Sequence, residues 1–296
     1  MLDISTNSLS DLSMYDINVQ RYPMSVMDPA FFVGVPTNMG YAVVRDNNTV
    51  LGVVGPRTKL HPYKDTCEVV NEALSNDMDI DLSNAKVTNQ IFNSGAYMKR
   101  TIEFPNMSIE PTLNDIVNFS IVHYDSYNMK WATQIIAQPR RLVCLNGQTT
   151  SDYTIKFYSK HSSNDPVSLK EFSATLEEAV IDFQKQEGKF KTMISTPLNV
   201  EQAHNFIKTF CLSPTKIDPN NYSKPMYNKL LSSYEKEEKL SGNTVYTLYN
   251  ALTRWGTHAE TKGQQHTVER HRNARIAQAL RSKEWKELGQ LKLIEY

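Results

Sequence analysis

The sequence predicts an α+β fold: an antiparallel β-meander with a β-hairpin and a helix ahead of it, followed by a helical C-terminal region. Two observations carry this expectation. Between Gly40 and Tyr158, short runs rich in β-branched and aromatic residues are separated by clusters of Asn, Asp and Gly. From Leu169 onward the apolar residues recur at helical spacing instead.

The first hairpin is "GYAVVRDNNTVLGVVG", two β-branched runs around Asp46-Asn47-Asn48, stopped by Gly55-Pro56. A short helix follows in "YKDTCEVVNEAL", with Asp65 as its N-cap and Val69, Val70 and Leu74 along one side. Next come a hairpin turning at Asn93-Ser94-Gly95 and another turning at "DSYN". In "DIVNFSIV", Val117, Phe119 and Ile121 alternate with Asn118 and Ser120, which predicts a sheet covered on one face and open on the other. Leu142 to Leu145 is apolar at every position and reads as an inner strand with Cys144 in its core; Asn146-Gly147 reads as its type I′ turn and "DYTIKFY" as the return strand. Leu169, Phe172, Leu176, Val180 and Phe183 then mark an amphipathic helix. Pro197 and Asn199 introduce a second, "VEQAHNFIKTF", and three more helices are expected after the loop "SPTKIDPNNYSKP". The implied organisation is a flexible N-terminal arm over 1–28, an α+β core over 29–195 and a helical region over 196–296.

Thirty-two basic and thirty-two acidic residues cancel over the 296-residue chain, so a polyanionic partner would have to be met by local clustering. Three scattered cysteines fit neither a disulfide framework nor a zinc ribbon, and point to a reducing compartment. The polar, acidic opening "MLDISTNSLSDLSMYD" does not read as a secretory signal, and no segment reaches the roughly 20 apolar residues needed to span a bilayer. The expectation is a cytoplasmic protein without a membrane partner.

Most catalytic motifs lack support. Cys144 has no histidine placed beside it by sequence, so a packed thiol is the better reading. Asp77, Asp79 and Asp81 resemble the start of a calcium loop, but Leu82 stands where the loop needs Gly and Thr88 where it needs Glu. His266 and His271 are five residues apart, off one helical face, which argues against a metal centre with His258. There is no glycine-rich phosphate loop and no G-x-S-x-G elbow. No catalytic residue, metal or cofactor is therefore assigned.

What remains is basic and aromatic interleaving. "GAYMKRTIEF" holds Tyr97, Lys99 and Arg100; "YNMKWA" holds Tyr127, Lys130 and Trp131; "QPRRL" adds Arg140 and Arg141; "YTIKFYSK" adds Lys156, Tyr158 and Lys160. Cations for phosphates with rings for base stacking is the chemistry of single-strand binding. The C-terminal cations from Arg270 to Lys286 surround their helix and are diluted by Glu284 and Glu287, as on a solvated helix.

Three stretches, "GYAVVRDNNTVLGVVGPRTKLHPYKD", "PRRLVCLNGQT" and "NTVYTLYNALTRWGTH", together resemble a family of phage and plasmid proteins known as domain of unknown function 932. This chain has Thr58 where that family has an aromatic residue. More distantly, hairpin, helix and backed meander resemble the single-strand annealing proteins of the Rad52 type, an analogy at the level of fold. The resemblance implies a phage-encoded protein that binds single-stranded DNA and anneals it without ATP in recombination or replication. It also implies assembly with itself into a ring or filament and contact with other phage replication or recombination proteins; the interleaved cations and rings supply the candidate site, Lys99, Arg100, Lys130, Arg140, Arg141 and Lys156 for phosphates and Tyr97, Tyr127 and Trp131 for stacking. The alternatives are an interaction protein that never touches DNA and a metal-dependent nuclease.

Overall fold

The computed structural model describes residues 2–6, 8–28, 33–76, 82–142, 146–147, 155–159, 161, 169–212, 221–260 and 265–290. The fold is α+β with antiparallel sheets and a helical C-terminal region, and it forms two compact units. One unit comprises Met1–Met107, Phe119–Ala137 and Ile155–Val180; the other comprises Ser108–Asn118, Gln138–Thr154 and Ile181–Tyr296.

Three strands, β2 (Val19–Asp28), β3 (Val33–Arg45) and β4 (Val50–Val54), form a small antiparallel sheet. Asn48 takes a φ of 60° in the β3–β4 turn, a left-handed conformation that Asn tolerates well. The larger sheet has the order β1-β5-β6-β7-β8-β10, with β9 paired to β8. Its strands are β1 (Leu2–Thr6), β5 (Lys86–Phe92), β6 (Tyr97–Ile109), β7 (Val117–Ser126), β8 (Thr133–Arg141), β9 (Asn146–Gly147) and β10 (Ile155–Ser159). Helix α1 (Tyr63–Asn76) stands between the two sheets in sequence. The core of the first unit joins Tyr15, Val43, Val54, Tyr63, Cys67, Met98, Val122 and Trp131.

Several expectations change here. The segment to Asp28 is no loose arm: β1 pairs with β5 in register Leu2↔Ile91, Tyr15 is fully buried with its hydroxyl donating to Asn89 Oδ1 at 2.9 Å, and Val19–Asp28 is a strand. Its polar composition hid this, because a strand hydrogen-bonded through its backbone needs few apolar side chains. Strand β7 is buried at all ten positions, so the sheet is not open on one face there. The polar members of its alternating pattern, Asn118 and Ser120, are buried, and farther along the strand polar groups are bonded inside: Asp125 Oδ2 accepts from Thr133 Oγ1 at 2.9 Å, and Ser126 Oγ donates to the Trp131 carbonyl at 2.8 Å. Alternation reported polarity, which internal hydrogen bonds decouple from exposure. Asn146-Gly147 is not the turn: the two residues pair with Arg141 and Arg140, so the chain reverses between Arg141 and Asn146. Strand β8 ends at Arg141 and Leu142 is in a turn; the rest of the inner strand expected over Leu142 to Leu145, Cys144 included, lies outside the described residues, as do Asp77, Asp79 and Asp81. β10 does return along β8, with Phe157 opposite Ile135.

The helical part begins with α2 (Leu169–Ser195) and α3 (Val200–Phe210). Asn199 caps α3 with a reciprocal pair to Gln202, a capping box that fixes where the helix starts. Four further helices follow where three were expected: α4 (Lys224–Ser241), α5 (Val245–His258), α6 (Gln265–Leu280) and α7 (Lys283–Gln290). Helix α5 is buried almost all round, with Leu248, Tyr249, Ala251 and Leu252 inaccessible. Among the described residues no helix is long and apolar enough to cross a membrane.

The small sheet rests on the β7–β8 turn at Gly52, where an added Cβ would lie 2.5 Å from Asn128 Cβ and 3.1 Å from Asn128 Cα. A backbone atom cannot swing aside as a side-chain end can. Gly52→Ala is therefore expected to cost about 1–3 kcal/mol, the usual price of overpacking, read as a lower thermal midpoint with the secondary-structure signal retained.

Candidate nucleic-acid interface

The nine residues expected at a DNA site divide sharply by burial. Arg100 is wholly buried in the first unit and spends its guanidinium on the Leu9 carbonyl at 2.8 Å and the Cys67 carbonyl at 3.4 Å. Tyr97 and Trp131 pack on each other with centroids 4.7 Å apart, and Trp131 meets Tyr124 edge-on at 5.5 Å. Tyr127 stacks on Tyr63 at 3.9 Å, and each ring's hydroxyl accepts from the other residue's backbone N–H, at 3.0 and 3.1 Å. These three rings are core and clamp, so they present no face on which a base could stack. Lys99 is half-buried with its Nζ 5.6 Å from the Tyr124 ring. Lys130 is exposed on the β7–β8 turn, and Lys156 lies in β10 opposite Ile136.

Arg140 and Arg141, adjacent in sequence, have opposite fates in the second unit. Arg140 is half-buried in β8 opposite Gly147. Arg141 is buried in an ionic network: its Nε donates to Asp115 Oδ1 at 2.5 Å and its Nη1 to Glu237 Oε2 at 2.6 Å. Arg254 Nη1 reaches the other Glu237 oxygen at 3.0 Å, and the Tyr246 hydroxyl donates to Asp115 Oδ2 at 2.9 Å. Burial works against the Arg141 cation, yet the Asp115 hydrogen bond and charge hold its pKa above the ordinary arginine value. Arg141 is a structural cation and is withdrawn from the DNA site.

A different cationic edge emerges in the first unit, organised by His161. Its Nε2 faces Asp125 Oδ1 at 3.0 Å and the Trp131 carbonyl at 3.2 Å, while its own carbonyl accepts from Lys59 N–H at 2.6 Å. The His61 ring stacks against it with centroids 6.1 Å apart. Arg21 supports the same loop from β2, donating to the Pro56 carbonyl at 3.1 Å and to that of Thr58. The loop after β4, the β7–β8 turn and the end of β10 are thus drawn together. Segments 55–64, 126–136 and 155–161 contain Arg57, Lys59, Lys64, Lys130, Lys156 and Lys160 and no carboxylate, a local excess in a chain balanced overall. Arg57, Lys59 and Lys130 are exposed, and Tyr158 on β10 is 51% exposed. Arg57 and Lys59 were missed by attention to strands; the acid-free run "GPRTKLHPYK" was the available sign.

The first unit also contains a thiol beside an imidazole, Cys67 Sγ lying 3.7 Å from His123 Nδ1. Burial pushes the thiol up to about 12 and pulls His123 down to about 4, so both are neutral and sealed from solvent. This is packing, with no thiolate to attack anything.

A family model described as "Domain of unknown function (DUF932)" matches residues 50–280. No curated protein and no solved structure matches the chain. The matched span includes the loop after β4, Arg141, and the α5 residues Tyr246 and Arg254.

Two outcomes follow for stability. Arg141→Ala leaves Asp115 and Glu237 buried with their shared cation gone and should cost about 3–5 kcal/mol, read as a lower thermal midpoint. For His161, burial lowers the pKa but the Asp125 hydrogen bond and charge outweigh it, so the net shift is upward. A raised histidine pKa stabilises the fold below the unfolded value of about 6.5, and that stability is lost as pH rises through the folded value. His161→Gln should therefore destabilise the protein more near pH 6 than near pH 9, measured as the difference from wild type in thermal melts, where the opposite effect of His123 cancels.

Proposed function

We propose that this chain, which belongs to the domain of unknown function 932 family, is a single-stranded DNA-binding protein that anneals complementary strands without ATP. The observation that carries the reading is the cationic edge around His161: segments 55–64, 126–136 and 155–161 hold exposed Arg57, Lys59, Lys130 and Tyr158, and the one carboxylate bonded to His161, Asp125, is buried. In a chain with equal numbers of acids and bases, such local excess is what a phosphate backbone requires. Lys156 on β10 extends the set.

The chemistry is neutralisation and stacking. Arg57, Lys59, Lys130 and Lys156 offset phosphate charge on one strand and so reduce its repulsion of an incoming complement. Tyr158 offers a ring to one base, which is sequence-tolerant because every base has a π face. Contacts to backbone and base faces leave pairing edges free, which is the condition for annealing. The setting proposed is phage recombination or replication, in the host cytoplasm, in company with other phage replication proteins.

Four phosphate contacts to a single strand give an expected slope of log K against log salt of about −3. In fluorescence anisotropy with a labelled oligonucleotide, the variant combining Arg57→Ala, Lys59→Ala and Lys130→Ala should bind at least about tenfold more weakly with a flatter slope. Its melting should stay at the wild-type value because all three side chains are exposed. Tyr158→Ala should lose about 1–3 kcal/mol of binding, and Tyr158→Phe should retain it. Salt-independent binding, or wild-type affinity in the triple variant, would remove the reading; no binding at all would favour a protein-interaction role.

A further inference from the structure

The small sheet β2–β3–β4 has one face in the core and one face that nothing covers among the described residues. Cross-strand partners share a face, and successive rows point to opposite faces. The row Arg21, Val43, Gly52 faces inward: Val43 is inaccessible and Gly52 abuts Asn128. The neighbouring rows Tyr22, Ala42, Val53 and Gln20, Val44, Val50 therefore face outward. Tyr22 is 50% exposed, Val53 57% and Val50 61%, and Met24 lies beside Val53, both within reach of a Cβ built on Gly40. With Met24, these rows are the main concentration of large exposed apolar side chains on one face in the first unit.

We infer that this outer face is a homotypic interface, occupied by the same face of a second copy of the chain. The exposed parts of these side chains come to on the order of 500 Å², the size at which a monomer's largest patch is commonly functional. Two such faces packed together remove about 1,000 Å², the lower limit for a specific interface. The two outward rows contain no charged residue. The arginines of these strands are directed elsewhere, Arg21 to the Pro56 and Thr58 carbonyls and Arg45 to the Ser94 carbonyl at 2.9 Å and Asp46. A nucleic acid would find no cation on this face. An identical neutral face meets it without like-charge repulsion, and two-fold symmetry supplies the complementarity. This interface is separate from the His161 edge and does not depend on DNA binding.

Sedimentation velocity of the full chain without nucleic acid, over a concentration series, tests the inference. Wild type should sediment as a dimer or larger species that dissociates on dilution, and Val53→Lys should shift it to the monomer with melting unchanged. Should Val53→Lys fail to fold, Val50→Lys, on the adjacent outward row, takes its place. A wild-type monomer at every concentration overturns the inference, as does an oligomer that persists in a folded lysine variant. Oligonucleotide affinity of the same variant is read in parallel: a monomeric wild type whose lysine variant binds DNA differently would identify the face as a DNA platform and also overturn self-association.

Discussion

The second unit depends on one buried cation. Arg141 leaves the end of β8 and is held by Asp115 from one segment and Glu237 from another, with Arg254 and Tyr246 completing the set. A charge removed from water is tolerable only when its partners are close and its remaining hydrogen-bonding capacity is met. Here both carboxylates are held at both oxygens, and two cations balance two anions. Within the second unit this joins Asp115, the Arg141 end of β8, α4 and α5 at one point, and Arg140 beside it pairs with Gly147. The network supplies definition of structure more than net energy, since an apolar substitute of the same shape could be as stable. Two of the three stretches that carried the family resemblance, "PRRLVCLNG" and "NTVYTLYNALTRWGTH", meet in this network.

In the first unit the corresponding role is taken by neutral groups. Tyr63 and Tyr127 exchange hydroxyl and backbone hydrogen bonds across a stacked pair, and Tyr63 also donates to the Gly95 carbonyl at 3.1 Å. This ties the start of α1 to the β5–β6 and β7–β8 turns. His161 then holds the loop after β4 against the β7–β8 turn through one side chain and one backbone bond. Function and framework are separated by this arrangement: the rings are spent on holding turns, and the cations stand on the turns so held.

Much of the fold was legible because turns carry their own chemistry. Asp46-Asn47-Asn48 and Asn93-Ser94-Gly95 were read as reversals, and Asn48, Asn93, Ser94 and Gly95 all adopt the positive φ that such reversals need. The Leu169-to-Phe183 stripe and the Asn199 cap were equally plain in local sequence. The candidate site was less legible. Arg100 and Arg141 looked like surface cations because nothing local reveals a carboxylate or carbonyl more than twenty residues away that will meet them. Asn146-Gly147 was misread because nothing local reveals that the two residues pair with Arg141 and Arg140. Tyr97, Tyr127 and Trp131 were chosen for lying close to cations in sequence, and nothing local reveals that Tyr97 packs on Trp131 and Tyr127 on Tyr63.

Strand β1 has a consequence for the order of events during synthesis. Its residues Leu2 to Thr6 pair with Val87 to Ile91, so β1 has no partner until β5 has emerged. At roughly 5–20 residues per second, that wait is on the order of ten seconds, during which β1 is an unpaired strand on a nascent chain. Its composition suits the interval: Asp3, Ser5 and Thr6 dilute its two apolar residues, leaving little to attract another chain before β5 arrives.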